Sequence, residues 1–104
     1  MPDHFNNLTP AEAERLAMLA EECGEVIQVI GKILRHGYES CHPNDQHQQT
    51  NRSLLSGELI DLLAVVDLME NRDDLNAPPG RPTAADYGSA VRRKLKYAHH
   101  QEAP

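Results

Sequence analysis

PAEAERLAMLAEECGEVIQVIGKILRHG, residues 10–37, reads as one long helix. Thr9 ahead of it is a natural N-cap, Pro10 suits the first helical position, and Glu12 completes a capping box. Leu16, Leu19, Cys23, Val26, Ile27, Ile30 and Leu34 then recur at helical spacing, and Gly37 after His36 is a natural C-cap. The predicted helix spans Pro10–His36, with its core stripe through Cys23 and Val26. A second apolar edge runs through Met18, Val29 and Ile33.

Outward from this helix, 38–50 is polar and rich in His and Gln, with Pro43-Asn44-Asp45 as a turn signal. It reads as a loop. A second helix is predicted from Asn51 or Arg52 to about Asn71, apolar at Leu54, Leu55, Leu62, Val65, Val66 and Met69, and on another side at Leu59 and Leu63. The string NAPPGRP (76–82) breaks any helix. Thr83-Ala84-Ala85-Asp86 opens a third helix with an Asp capping box, continuing through Ala90, Val91, Leu95 and Ala98. No strand pattern appears. The expected fold class is all-α, a single domain over 1–104 with flexible tails near 1–8 and 99–104.

Composition sets limits. The chain has 104 residues and a formal charge of −6, too short for a large core and open to oligomerisation. Its aromatics are Phe5, Tyr38, Tyr87 and Tyr97, with no Trp, so Leu, Ile, Val, Met and Ala must form the core. Net acidity argues against broad binding of nucleic acid or of anionic membranes, which needs clustered cations. It is compatible with a phosphorylated small molecule if a metal ion bridges the charges. Cys23 and Cys41 make no disulfide framework, and no apolar run approaches a membrane span. The sequence is read as soluble and cytoplasmic.

The strongest chemical signal is positional. Residues three or four apart share a helix face. Glu58 lies four after Leu54, four before Leu62 and seven before Val65, near the middle of the apolar stripe, and Asp61 projects one turn along. Glu22 and Glu25 repeat the spacing on the first helix, beside Met18, Val29 and Ile33. An ionised carboxylate among apolar neighbours is costly unless paired, protonated or metal-bound. Packed antiparallel, the two helices can bring four carboxylates to one point, a hard-cation site suited to Mg²⁺ or Mn²⁺. The competing readings are solvated acid pairs, or burial against Arg35, Arg52 or Arg92.

The segment Glu21-Glu22-Cys23-Gly24-Glu25-Val26, followed by Glu58-Leu59-Ile60-Asp61, resembles the MazG-like family of all-α nucleoside triphosphate pyrophosphohydrolases, whose pattern is EExxE and then ExxD. LAEECGEVIQVIGKILRHG (19–37), NRSLLSGELIDLLAVVDLM (51–69) and RRKLKYAHHQ (92–101) look like the compact, often phage-encoded members. The resemblance implies that Glu22, Glu25, Glu58 and Asp61 are metal ligands and that Glu21 orients water or supports a ligand. It implies that Lys94 contacts phosphates. It further implies Mg²⁺ dependence, attack by water near the α-phosphorus, and a homodimer or a tetramer of dimers. The chain departs from the pattern in two ways: the gap between Glu25 and Asp61 is longer than in the most compact members, and the Trp residues that some relatives stack on the base are missing.

On this reading Glu21 or Glu25 takes the proton from the attacking water. Lys32, seven after Glu25, shares its face and is a candidate phosphate contact or a solvated lysine. Asn51, seven before Glu58 at a helix N-terminus, is a candidate substrate contact or a plain N-cap. Tyr97 is a candidate base contact or a core residue. Cys41, His42 and His47 lack the spacing of a zinc site. Two rivals stand beside the hydrolase. One is a non-catalytic helical oligomer with an acidic groove. The other is a carboxylate-bridged di-iron protein, disfavoured because neither acid pair is followed by His in a Glu-x-x-His spacing.

Overall fold

Helix α1 spans Pro10–His36. Its start is the capping box read from the sequence: Thr9 Oγ1 accepts from the Glu12 amide at 3.1 Å, and Glu12 Oε1 accepts from the Thr9 amide at 2.8 Å. It stops at Gly37, whose φ of 88° and ψ of 167° lie in a region that essentially only glycine adopts. The coordinates are a computed structural model and describe residues 5–76 and 83–102. Most of the predicted breaker 76–82, and the outermost residues of both predicted tails, lie outside the described residues.

Helix α2 spans Asn51–Asn71. Its N-cap is Thr50, whose side chain accepts from the Ser53 amide. This corrects the alternative of Asn51 as a plain N-cap. Asn51 is instead the first helical residue, 5% exposed, with Nδ2 donating to the Gly37 carbonyl at 3.1 Å. Loop 38–50 is pinned to the start of α2. The Asn51 and Arg52 amides donate to the Ser40 and Tyr38 carbonyls, both at 2.8 Å. An isolated antiparallel bridge pairs Cys41 with Thr50. The Arg52 guanidinium stacks 4.3 Å from the Tyr38 ring centroid and pairs with Glu39 at 2.6 Å.

α1 and α2 pack against each other as an antiparallel hairpin. At one end Asn51 meets Gly37; at the other, Arg15 on α1 meets Asp74 just past α2. Val29, Val65 and Met69 are the buried apolar residues of this seam. Each such side chain contributes about 1.5–3 kcal/mol. Leu19, Val26 and Ile33 flank Val29 on the same face, half-buried.

The α1 stripe is therefore only partly the predicted one. Leu19 and Val26 face α2, whereas Leu16, Cys23, Ile27, Ile30 and Leu34 are exposed. Of the predicted second edge, Val29 and Ile33 supply the seam, because they share the face of Glu22 and Arg15, whereas Met18 is exposed. On α2 the predicted core residues are buried or half-buried, and Leu59 and Leu63 are exposed together with Ile60.

The chain divides into two compact units, Met1–Asp74 and Leu75–Pro104. The second contains α3, Ala84–Leu95, opened by the Thr83–Asp86 capping box. It ends at Leu95, short of the predicted Ala98. Among the described residues the secondary structure is three helices and no strand. No helix is long and apolar enough to cross a membrane.

Candidate metal centre

Glu22 and Glu25 leave α1 one turn apart, and Glu58 and Asp61 leave α2 one turn apart. The antiparallel pairing brings these two steps opposite each other. Each of the four offers a carboxylate oxygen, and the four oxygens all lie within 4.8 Å of one another. Glu22, Glu25 and Glu58 are half-buried and Asp61 is exposed. Among the described residues this is the one group of three or more His, Cys, Asp or Glu side chains close enough together that it could hold a metal ion.

The electrostatics are those of crowded like charges. Glu22 is held above the usual glutamate range, first by burial and then by the charges of Glu25, Asp61 and Glu21. Glu58 is raised first by a side-chain hydrogen bond with Glu25, then by burial, then by the charges of Glu25, Asp61 and Glu22. Glu22 Oε2 and Glu58 Oε2 are buried and have no hydrogen-bond partner. Buried polar atoms are nearly always satisfied, and a carboxylate oxygen left without a partner is relieved by a proton or by a cation.

Between described residues the ion pairs are Arg15–Asp74 and Arg52–Glu39, so no arginine among them pairs with the quartet. Four hard oxygen donors suit Mg²⁺ or Mn²⁺. The quartet contains no imidazole, and the di-iron pattern needs one per Glu-x-x-His motif.

Of the remaining candidates, Glu21, Lys32 and Asn51 lie in the first unit and Lys94 and Tyr97 in the second. Glu21 is exposed beside the quartet and adds its charge to Glu22. Lys32 and Asn51 both line a cavity at the Gly37 end of the hairpin. Lys94 and Tyr97 belong to the second unit, where both are exposed, and Lys96 Nζ lies 5.5 Å over the Tyr97 ring. Tyr97 is 77% exposed, so the alternative of a core tyrosine does not hold within its unit. Cys41, His42 and His47 form no metal-holding group; His42 Nδ1 accepts from the Asn44 amide at 3.1 Å.

Sequence reading missed the other walls of the cavity: Arg35, considered only as a partner for buried acids, with His36, Ser40 and His42. The available signal was the spacing of Lys32 and Arg35, one turn apart. Comparison with protein-family models, curated proteins and solved structures returns no match for this chain.

Proposed function

We propose that the chain is a Mg²⁺-dependent nucleoside triphosphate pyrophosphohydrolase of the MazG-like type, converting a (deoxy)nucleoside triphosphate and water to the monophosphate and pyrophosphate. The observation that carries the reading is the quartet: four carboxylates from two helices on one point, with two buried oxygens that have no hydrogen-bond partner among the described residues. The order and spacing of Glu21, Glu22, Glu25, Glu58 and Asp61 support the same reading.

Glu22, Glu25, Glu58 and Asp61 would hold the cation. When bound, it supplies charge neutralisation for the phosphates and Lewis acidity toward their oxygens. The protein's own part is to orient and to move a proton. Glu21, exposed at the rim, or Glu25, within the quartet, accepts the proton of the water that attacks the α-phosphorus. Lysine or arginine side chains offset charge on the departing pyrophosphate.

The working form is a homodimer, or a tetramer built from two dimers. The hairpin leaves Ile27 68%, Leu34 82%, Ile60 66% and Leu63 63% exposed. Contiguous apolar faces of this kind are covered in a stable soluble protein, and a two-fold axis covers like with like. Four helices from two hairpins would form a bundle around these residues.

The deciding experiment is purified chain with Mg²⁺ and a panel of ribo- and deoxynucleoside triphosphates, read as pyrophosphate and monophosphate release. Turnover that disappears with chelator supports the hydrolase. A non-catalytic module gives no product with any nucleotide, and a di-iron protein carries bound iron.

A further inference from the structure

The first unit holds a cavity of about 350 Å³ at the Gly37 end of the hairpin, within the size range of small-molecule sites. Its walls are the last turns of α1 (Lys32, Arg35 and His36), loop 38–50 with His42 and Asp45, and the start of α2 with Asn51.

Its charge runs against that of the chain. The whole sequence carries −6, yet the fixed charges of the cavity are Lys32 and Arg35 against Asp45 alone. Asp45 is already engaged, accepting from the His47 amide at 2.9 Å and the Gln49 amide at 2.8 Å. Those bonds hold its carboxyl below the usual range. Neither Lys32 nor Arg35 has an ion-pair partner among the described residues, whereas nearby Arg52 is taken up by Glu39 and Tyr38. The first amides of α2 are also taken, by Ser40, Tyr38 and Thr50. An anion here is therefore held by side chains, not by the helix terminus.

The cavity has a fixed relation to the quartet. From Glu25 to Lys32 on α1, and from Glu58 to Asn51 on α2, the step is seven residues, about 10 Å along the axis. Because the hairpin is antiparallel, both steps run in the same direction. A triphosphate and a lysine side chain together span that distance.

We infer that this cavity is an anion subsite for a pyrophosphate group, held by Lys32 and Arg35. The identity of the anion rests on the hydrolase reading. On that reading water oxygen bonds to the α-phosphorus and the bond from that phosphorus to the bridging oxygen breaks. The bond's electron pair stays on the pyrophosphate, and the water's proton goes to a carboxylate. The two cations offset the charge that develops on the leaving group.

The test is isothermal titration of inorganic pyrophosphate into the full chain in chelator, so that neither metal nor turnover enters. Wild type is expected to bind at one saturable site. Lys32→Gln/Arg35→Gln should weaken binding at least tenfold, while Arg93→Gln leaves it unchanged. Amide chemical-shift mapping on wild type needs no variant: pyrophosphate should perturb residues 32–42 and leave 92–96 unmoved. No binding, equal binding by the double variant, or shifts confined to 92–96 overturns the subsite. Nucleotide turnover is read separately. Pyrophosphate binding through Lys32 and Arg35 without turnover keeps the anion site and removes the hydrolase reading; turnover without such binding does the reverse.

Discussion

Arg15 and Asp74, 59 positions apart, close the open end of the α1–α2 hairpin with a two-pronged ion pair, Nε to Oδ2 at 2.5 Å and Nη2 to Oδ1 at 2.9 Å. Their side chains are 14% and 9% exposed. The guanidinium holds the Asp74 carboxyl below its usual range, chiefly through the hydrogen bonds. This pair and the quartet respond to pH with opposite sign.

The pH prediction follows from that opposition. Asp74 has a depressed folded pKa, so its contribution is complete above the ordinary Asp value, about 3.9, and is lost as pH falls through the folded pKa. Glu22 and Glu58 have raised folded pKa values. Between the ordinary Glu value, about 4.3, and their raised values, the folded state binds more protons than the unfolded one, so stability falls as pH rises through that window. In chelator, Tm is expected to climb as pH falls through the raised values of Glu22 and Glu58 toward about 4.3, and to decline below about 3.9 as Asp74 is protonated. Mg²⁺ should flatten the first limb, and Glu22→Gln/Glu58→Gln should abolish it. A thermal scan against pH that shows no such limb in the wild type contradicts this account of the quartet.

Glu58→Gln keeps the shape of the side chain and removes a ligand charge. Nucleotide turnover is expected to fall roughly 100-fold or more. The chelated variant should melt higher than wild type at neutral pH, because an uncompensated like charge has gone. Near-wild-type kcat/KM with Mg²⁺ would show that Glu58 holds no metal.

Gly37→Ala tests backbone strain alone. A Cβ there meets no atom within 4 Å, so sterics with neighbours contribute nothing. The conformation itself, φ 88° and ψ 167°, should cost about 1–3 kcal/mol. The expected readout is a lower urea midpoint at unchanged m. An unchanged midpoint would mean that the chain leaves α1 by another route.

Assembly is tested on the exposed apolar face. Wild type should sediment as a dimer or tetramer across micromolar dilutions. Ile60→Glu and Leu63→Glu each bury a charge if that face is covered, and should dissociate the oligomer and lower Tm. A wild-type chain that stays folded and monomeric would show that the face needs no second copy.

Much of this protein was legible because local signals determine it. Thr9-Pro10-Ala11-Glu12, Gly37 and Thr83-Ala84-Ala85-Asp86 bound their helices through contacts within four residues, and such contacts survive in any tertiary arrangement. The acid pairs were legible for the same reason, since a three-residue step fixes their common face. What only the tertiary structure decided is which faces meet. α1 is apolar on two stripes, and periodicity marks a face as apolar without naming its neighbour. Register against α2 put Val29 in the seam and left Ile27 and Leu34 outside. The same register made Thr50, not Asn51, the cap, because the Asn51 amide group is held by the Gly37 carbonyl. It joined Arg15 to Asp74, and it turned two ordinary i, i+3 acid pairs into one cluster within 4.8 Å. Each of these needs two segments distant in sequence to align, and no single-segment pattern carries that information.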